Sequence, residues 1–259
     1  MSATRWAGRV AVVTGASAGI GAATALELCR NGIITIGLAR RVEKIEELKS
    51  QLTPAQQANF HPLKCDISVE AEVIHIFNVI EKIYGGVDIL VNNAGVAPTK
   101  TLLDPENSTD IQRVIDTNLL GVINCTREAV KSMRERHVEA HIILMNSIAG
   151  HYMPFQAGVP SSGIYFASKY ALTALAEQYR QEFIKEKLNI KISSLSPGFV
   201  KTEIVSANTD LPQEAVEAAV ENCPGLESKD IADAVIYLLS TPPNVLVTEL
   251  IIRPMNEVI

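Results

Sequence analysis

Short runs of apolar, often β-branched residues alternate with longer stretches of helical periodicity along the chain. Several of the apolar runs lack polar alternation, which is typical of strands that helices cover on both faces. The predicted strands are Val10–Val13, Ile33–Ala39, Leu63–Cys65, Val87–Val91, Ile142–Met145, Ile190–Leu195 and Val245–Ile252. The predicted helices are Ile20–Asn31, Val69–Tyr84, Ile111–Arg136, Gly163–Glu186 and Lys229–Leu239.

Alternating strands and helices favour right-handed crossovers and a mainly parallel sheet. No linker, repeat or low-complexity tract divides the 259 residues. We therefore predict one α/β domain over residues 1–259, a Rossmann-type, doubly wound sheet with helices on both faces. Asn31-Gly32 is expected to end the first long helix, and Asp66 and Ser68 are expected to cap the helix after the third strand.

The composition is ordinary for a globular protein, with 47% hydrophobic and 20% charged residues. A net charge of −6 argues against duplex nucleic acid as the main ligand, because phosphate contacts need clustered Lys and Arg. No apolar run approaches the roughly 20 residues that span a bilayer, and the N-terminal residues lack the apolar stretch of a signal peptide. The four cysteines form no close pair, which favours a cytoplasmic protein with buried thiols.

A glycine-rich segment, Thr14-Gly-Ala-Ser-Ala-Gly-Ile-Gly21, lies where the first strand would turn into the first helix. Glycine permits a tight turn and a close backbone approach, and the N–H groups of a helix N-terminus suit a pyrophosphate. An ordinary strand–helix turn is the alternative, but the position after the first strand favours dinucleotide binding. The predicted cofactor contacts in this segment are Gly15, Ser17, Ala18, Gly19, Ile20 and Gly21.

The end of the second strand indicates which dinucleotide binds. An NAD site normally places an Asp or Glu there to accept hydrogen bonds from the ribose hydroxyls. This chain has Arg40 and Arg41 instead, with no carboxylate before Glu43. Because guanidinium groups pair well with a 2′-phosphate, we predict NADP(H) as the cofactor. A solvated pair of arginines that opens the next helix is the alternative.

Two further strand ends are candidate cofactor contacts, because ligands of open parallel sheets bind at the carboxyl ends of the strands. Asp66, followed by Ile67, ends the third strand and is expected to receive the adenine amino group. After the fourth strand, Asn93, Ala94 and Gly95 are expected to let the chain pass beneath the cofactor. Taken singly, each is also compatible with an ordinary cap or turn.

Ser147 ends the fifth predicted strand, and Tyr165 and Lys169 are four residues apart on the following helix. That spacing puts the phenol and the ammonium on one helical face. The ammonium and the positive charge of an oxidised nicotinamide are expected to lower the phenol's pKa from about 10 and allow proton exchange near neutral pH. Ser147 is expected to hydrogen-bond the substrate oxygen as charge develops on it.

In combination these motifs resemble the short-chain dehydrogenase/reductase family over nearly the whole chain. Present in family order are Thr14-Gly…Gly19-Ile-Gly21, Asp66, Asn92-Asn-Ala-Gly95, Asn118, Ser147, Tyr165-Phe-Ala-Ser-Lys169 and Pro197-Gly198…Thr202. The resemblance implies that Tyr165 is the acid/base, that Lys169 also holds the nicotinamide ribose, and that Ser147 orients the substrate. It implies that Asn118 supports a water in a proton relay. The residues that it implies at the nicotinamide end are Pro197, Gly198, Val200 and Thr202.

The gap of 18 positions between Ser147 and Tyr165 is longer than in most family members. Substrate loops are expected near residues 151–163 and 203–228. Apolar residues in the first loop and after Pro197-Gly198 either line a lipophilic pocket or anchor the loops. They are Tyr152, Met153, Phe155 and Val159 in the first loop, and Phe199, Ile204 and Val205 after Pro197-Gly198. The sequence from Ile236 onward resembles an NADP-dependent subgroup that includes insect farnesol dehydrogenases and vertebrate ketosteroid reductases, which favours an isoprenoid or steroid alcohol or carbonyl as substrate.

Three other activities are compatible with these patterns. One is a related epimerase or dehydratase, which usually carries a further substrate domain. Another is a carbonyl reductase for small polar substrates. The third is a non-catalytic NADP(H)-responsive binding protein, which has no need to combine Tyr165, Lys169 and Ser147. Hydride transfer between NADP(H) and a lipophilic carbonyl or alcohol is the function that we predict.

His137 and His141 have the spacing of a zinc motif, but they lack its Glu and lie where a helix gives way to a strand, so we expect no metal. The long helices carry more apolar positions than one sheet-facing stripe requires. This surplus and the family resemblance predict a homodimer or homotetramer. The surplus positions are Leu119, Val122, Ile123, Leu172, Leu175 and Tyr179.

Overall fold

The structure is a computed structural model that describes residues 3–153, 163–206 and 224–256. Within these residues, seven strands form one sheet in the order β3-β2-β1-β4-β5-β6-β7, and every neighbouring pair is parallel. This arrangement confirms the predicted doubly wound sheet. The strands are β1 (Val10–Thr14), β2 (Ile34–Ala39), β3 (Phe60–Lys64), β4 (Ile89–Asn92), β5 (Ala140–Met145), β6 (Ile190–Pro197) and β7 (Glu249–Ile252).

Helices follow the strands in the alternating pattern that the sequence predicts. Two irregular turns matter for the site: a π-helical turn at Ile115–Gly121 and a 3₁₀ turn at Ile148–Gly150. The described helices are α1 (Gly19–Arg30), α2 (Val42–Glu47), α3 (Pro54–Gln57), α4 (Glu70–Tyr84), α5 (Ser108–Val114), α6 (Val122–Arg136), α7 (Gly163–Lys185), α8 (Glu203–Ser206) and α9 (Ser228–Ser240).

The hydrophobic core lies in two layers, one on each face of the sheet. Along β1, Ala11 and Val13 pack in the layer that contains residues of α1 and α9. Val10 and Val12 point the other way and pack with residues of α4, α6 and α7. Because successive side chains of a strand face opposite layers, both sets must be apolar. This explains why the central strands show no polar alternation.

Three elements differ from the prediction. β3 begins at Phe60, earlier than predicted, because an edge strand tolerates Pro62, whose missing N–H would face no partner strand. β7 is only Glu249–Ile252, since the carbonyl of Val245 accepts a hydrogen bond from Lys191 in a preceding turn. The helix predicted over Ile111–Arg136 is α5, the π-helical turn and α6 in succession.

One predicted helix end is confirmed and one predicted cap is wrong. Asn31 caps α1, and Gly32 adopts a φ of +80°, the left-handed conformation expected at a helix end. By contrast, Val69 occupies the N-cap position of α4, with no side-chain cap. The carboxylate of Asp66 instead accepts hydrogen bonds from the backbone N–H and the hydroxyl of Ser68, which forms a local turn before the helix.

The apolar surplus on the long helices is smaller than predicted. Val122 and Leu172 are only 2% and 1% exposed and belong to the core, so they are not available to a partner subunit. Leu175 and Tyr179 pack partly against the same core layer. The prediction of surplus surface on these helices was wrong for the two buried residues, because α6 packs against α4 as well as the sheet, and α7 packs against the π-helical turn as well as the sheet.

The two histidines with zinc-like spacing lie on different elements. His137 ends α6 in the left-handed conformation, and His141 lies inside β5. The geometry of a two-histidine helix turn is therefore absent. In the described part of the chain, no helix is both long and apolar enough to cross a membrane.

His141 should make the protein sensitive to acid. Its Nε2 lies 2.9 Å from the Ser193 hydroxyl, and burial, with the charges of Lys191 and Arg5, lowers its pKa from 6.5 to about 3. At pH values between about 3 and 6.5 the unfolded chain binds more protons than the folded one. The free energy of unfolding therefore falls as the pH falls below 6.5. Lowering the pH from 7.5 to 5 should cost about 2 kcal/mol through this residue.

Urea unfolding of the wild type and His141→Gln at pH 7.5 and 5 measures this contribution. Glutamine keeps a hydrogen-bonding group near Ser193 but does not titrate. The variant should therefore lose about 2 kcal/mol less stability than the wild type on acidification. Equal losses in the two proteins would show that His141 is not the group responsible.

Candidate active site

The carboxyl ends of six strands gather the predicted site residues at one edge of the sheet. Gly15 directly follows β1, Arg40 directly follows β2, and Asp66 is the second residue after the end of β3. Asn93 follows β4, while Ser147 and Pro197 lie at the ends of β5 and β6. Because all strands are parallel, these positions share the crevice where ligands of such sheets bind.

The glycine-rich segment has the conformation that its sequence predicts. Gly15 and Gly19 adopt φ values of +68° and +55°, which favour glycine. A Cβ placed on Gly21 would lie 2.3 Å from the Gly15 carbonyl oxygen and 2.4 Å from the Asn93 side chain, so only glycine fits. Ala18 occupies the N-cap position of α1, and no side chain makes a capping hydrogen bond there. The turn is thus a cradle for an anionic group at a helix N-terminus.

Thr14 and Asn93 tie the glycine turn to the end of β4. The Thr14 hydroxyl accepts hydrogen bonds from the backbone N–H groups of Asn93 and Ala94, each at 3.0 Å. The Asn93 side chain donates to the carbonyls of Thr14 (2.9 Å) and Gly15 (3.3 Å). The two strand ends are therefore held in a constant relative position. A buried Thr at the end of an apolar strand was the only sequence signal for this contact.

The arginines after β2 lie at the open side of the crevice. Arg40 is 69% exposed and its Nη1 lies 3.9 Å from Asp66. Arg41 is 55% exposed and its Nη2 lies 3.3 Å from Glu203 of α8 and 3.5 Å from the Ser17 hydroxyl. The fold thus brings carboxylates near both arginines, which the local sequence did not show. Arg40 also borders an open groove of about 660 Å³ that is lined further by Ser68, Ser108, Thr109, Gln112, Arg113, Asp116 and Thr117.

Asn118 lies in the π-helical turn and is 1% exposed. Its Oδ1 accepts a hydrogen bond from the Val96 N–H, and its Nδ2 donates to the Val96 carbonyl, both at 2.9 Å. Nδ2 also lies 3.2 Å from the Ser168 hydroxyl, which donates to the Tyr165 carbonyl. Asn118 therefore connects the segment after β4 with the helix that carries Tyr165. No periodicity in the sequence indicated the π-helical turn.

Ser147, Tyr165 and Lys169 come together at the end of β5. Ser147 caps the 3₁₀ turn, where its hydroxyl accepts a hydrogen bond from the Ala149 N–H at 3.1 Å, and its side chain hydrogen-bonds the phenol of Tyr165. Lys169 donates to the Met145 carbonyl at 2.7 Å, and its Nζ lies 5.5 Å from the centre of the Tyr165 ring. The long gap in sequence therefore does not separate the serine from the tyrosine.

Burial dominates the protonation equilibria of this group. It raises the pKa of the Tyr165 phenol, and the hydrogen bond with Ser147 opposes that rise. Burial also lowers the pKa of Lys169 to about 8. The expectation of a lowered tyrosine pKa is therefore not met by the chain's own groups, because desolvation of the phenolate outweighs the stabilisation that they supply.

The segment after β6 lies over the glycine turn. The Thr202 side chain is 3.2 Å from the position that a Cβ on Gly19 would occupy, and Gly198 donates a hydrogen bond to the Ile252 carbonyl of β7 at 2.7 Å. Val200 is 7% exposed and packs in the core, which leaves its main chain as the part able to contact a ligand. The Thr202 side chain therefore packs directly against the backbone of the glycine turn at Gly19.

A family model described as short chain dehydrogenase matches residues 9–212. The chain belongs to this family. It is 45% identical over 253 residues to a farnesol dehydrogenase of Aedes aegypti, with 98% of each chain covered. It is 42% identical over 258 residues to dehydrogenase/reductase SDR family member 11 of Gallus gallus, covering 98% of this chain and 99% of the relative.

Solved structures agree with this assignment. An alcohol dehydrogenase of Thermococcus sibiricus, complexed with 5-hydroxy-NADP, has a TM-score of 0.80 at 27% identity and covers 96% of this chain and 97% of its own. A serine dehydrogenase complexed with NADP+ has a TM-score of 0.83 at 26% identity and covers 94% of each chain. This short-chain dehydrogenase is therefore an oxidoreductase with a Rossmann-like sheet.

Several predicted residues of the short-chain dehydrogenase have side chains turned away from the crevice. Ile67 is 5% exposed, and its side chain packs so closely on Gly121 of the π-helical turn that a Cβ there would lie 2.9 Å away. Ile20 packs partly against the core. The side chains of these two residues therefore belong to the hydrophobic packing beneath the crevice. Phe155 and Val159 lie outside the described residues, as does most of the loop predicted at 203–228.

Proposed function

We propose that this protein interconverts a lipophilic alcohol and its carbonyl compound with NADP(H) as the cofactor. One observation carries the proposal: a serine hydroxyl, a tyrosine phenol and a lysine ammonium lie together at the same edge of the sheet as the glycine turn. They belong to Ser147, Tyr165 and Lys169. A hydroxyl that binds the substrate oxygen, an acid that protonates it and a nearby positive charge are the groups that carbonyl reduction requires.

The shape of the crevice fits a nicotinamide dinucleotide. The cradle at Gly15, Gly19 and Gly21, which a single added Cβ would fill, suits the pyrophosphate. Arg40 and Arg41 are mostly exposed at the end of β2, where they can pair with a 2′-phosphate. When bound, the nicotinamide supplies or accepts the hydride. The complexes of related enzymes with NADP+ and 5-hydroxy-NADP support the choice of NADP(H).

The protonation states that the chain imposes suit carbonyl reduction at neutral pH. Because burial raises its pKa, the Tyr165 phenol keeps the proton that it must donate to the substrate oxygen. Lys169, with a pKa of about 8, is mostly protonated at pH 7 and supplies positive charge beside the phenolate that forms. Ser147 hydrogen-bonds the substrate oxygen and the phenol from its place on the 3₁₀ turn. For alcohol oxidation the same groups act in reverse.

Apolar side chains near Ser147 support a lipophilic substrate. Tyr152 and Met153 are 48% and 62% exposed, and they follow the 3₁₀ turn that Ser147 caps. Exposed apolar groups beside a reactive site favour binding of an apolar ligand. The Aedes aegypti relative is named for farnesol. We therefore propose an isoprenoid or steroid alcohol or carbonyl as the substrate class.

A substrate panel followed by NADPH absorbance tests this function. It comprises isoprenoid and steroid carbonyls together with aldehydes of increasing chain length. We expect kcat/KM to rise with chain length, because each buried methylene contributes about 0.8 kcal/mol, or roughly fourfold. A flat profile would instead indicate a carbonyl reductase for small polar substrates. NADPH binding with no turnover of any compound would indicate a non-catalytic binding protein.

We also propose a homodimer or homotetramer that acts in the cytoplasm. Leu119 and Ile123 are half-buried, and Leu120 is 45% exposed on the π-helical turn. This apolar surface supports self-association, since pairing of two copies would remove it from water.

A further inference from the structure

A second polar cluster lies near the proposed catalytic group, between the last residues of β6 and the short strand β7. It consists of His151, just after the 3₁₀ turn, Ser196 near the end of β6, and Glu249 at the start of β7. The Nε2 atom of His151 is 3.0 Å from the Ser196 hydroxyl and 3.2 Å from the Glu249 carboxylate. Ser196 donates to the same carboxylate at 2.5 Å. Three chain segments therefore meet through their side chains.

This cluster is not a nucleophilic triad, although its residue types match one. The Ser196 hydroxyl and the Glu249 carboxylate both face Nε2 of His151. In a triad, one imidazole nitrogen faces the serine and the other faces the acid. Ser196 is fully buried and gives its hydrogen to Glu249. Since Ser196 and Glu249 both present acceptors to Nε2, this nitrogen of His151 carries a hydrogen. The arrangement holds segments together and performs no bond-breaking chemistry.

The cluster joins the segment that contains Ser147, the 3₁₀ turn, to β6 and β7. Backbone pairing between β5 and β6 ends at Met145 and Leu195, followed by one bond from the Asn146 N–H to the Leu195 carbonyl. Beyond that point the connection of the 3₁₀ turn to β6 continues through the side chains of His151 and Ser196. Within the turn, Gly150 donates to the Ser147 carbonyl at 2.9 Å.

We propose that His151, held by Ser196 and Glu249, is a positioning residue that fixes Ser147 against the end of β6. This inference rests on the proposed function, in which Ser147 binds the substrate oxygen opposite Tyr165. His151 touches neither the substrate nor the cofactor in this role; it acts through the 3₁₀ turn. Because a displacement of about 1 Å in a reacting group lowers rates by up to about 100-fold, a side-chain contact at this place affects turnover.

The chain contains a matched control for this contact. His141 of β5 and Ser193 of β6 form a similar histidine–serine pair at 2.9 Å, but His141 lies ten residues before His151 and within the paired part of the sheet. Loss of either histidine removes one hydrogen bond to a serine, and loss of His151 also removes the contact with Glu249. Only His151 is connected to the turn that Ser147 caps.

The test compares His151→Ala, His151→Gln and His141→Ala in steady-state carbonyl reduction and in NADPH binding. We expect His151→Ala to lower kcat about tenfold with an unchanged Kd for NADPH. His151→Gln, whose amide can donate to Ser196 and Glu249, should recover most of kcat. His141→Ala should lower the Tm and keep kcat. Equal kinetic losses in the two alanine variants, or an unchanged kcat in His151→Ala, would overturn the proposal.

Hydrogen exchange of the NADPH-bound protein gives a second readout that does not depend on turnover. In His151→Ala, amides of residues 148–152 should exchange faster, while those of α7 should keep the rate of the wild type. If the wild type reduces no carbonyl compound, the proposed function fails, and this measurement alone decides the positioning role. Unchanged exchange at residues 148–152 would refute it.

Discussion

Tyr165→Phe should bind NADPH as the wild type does and reduce its carbonyl substrate about 1000-fold more slowly, a loss of roughly 4 kcal/mol of transition-state stabilisation. The substitution removes one oxygen, so the half-buried ring and its contact with Lys169 remain. What disappears is the proton that the raised pKa keeps on the phenol and the hydrogen bond with Ser147. Stopped-flow absorbance at saturating NADPH measures the rate, and fluorescence titration measures the Kd.

Tyr170→Phe is the control for this experiment. Tyr170 lies on the same helix, five residues later, and is 42% exposed. Its loss of the same oxygen should leave kcat and the NADPH Kd within twofold of the wild type. A Tyr165→Phe variant that retains a tenth or more of the wild-type rate would mean that another group protonates the substrate oxygen.

Replacement of Arg40 and Arg41 together by alanine should raise the Kd for NADPH about 100-fold, because each charge-assisted hydrogen bond to a phosphate contributes about 1.5 kcal/mol or more. The Kd for NADH should change less than threefold, since NADH has no 2′-phosphate. Both side chains are more than half exposed, so their removal should not disturb folding. Titration with each nucleotide at constant ionic strength provides the comparison.

The double variant Arg127→Ala/Arg134→Ala removes the same net charge from α6. These arginines pair with Glu70 and Glu186 on the protein surface. Their loss should leave both dissociation constants nearly unchanged, which separates a local phosphate contact from a general effect of net charge. Equal weakening of NADPH and NADH binding by the Arg40/Arg41 variant would contradict the assignment of these arginines to the 2′-phosphate.

The sequence predicted the order and type of most elements because their cause is local. A strand covered on both faces must be apolar at successive positions, and β1, β4 and β5 are fully buried. The tight turn at Gly15 and Gly19 could be predicted because residues other than glycine rarely adopt the left-handed conformation found there. The residues of the proposed catalytic group were identified by their spacing and order along the chain.

The errors arose where a neighbouring element decides the conformation. Pro62 interrupts the apolar pattern of β3, yet this strand lies at the edge of the sheet, where the missing N–H is harmless. The π-helical turn places Asn118 against Val96, and no periodicity in the sequence shows that the helix is widened there. Val122 and Leu172 resembled exposed apolar positions until packing placed them in the core.

By itself the sequence determined the parallel sheet, the glycine turn and the set of polar residues at the strand ends, because backbone geometry and alternating burial act over a few neighbouring residues. Only the tertiary structure decided how those residues meet. It brings Glu203 to Arg41, closes Thr202 over Gly19, joins His151 to Ser196 and Glu249, and raises the pKa of Tyr165. Each of these depends on distances and burial between segments far apart in the chain, which no local pattern encodes.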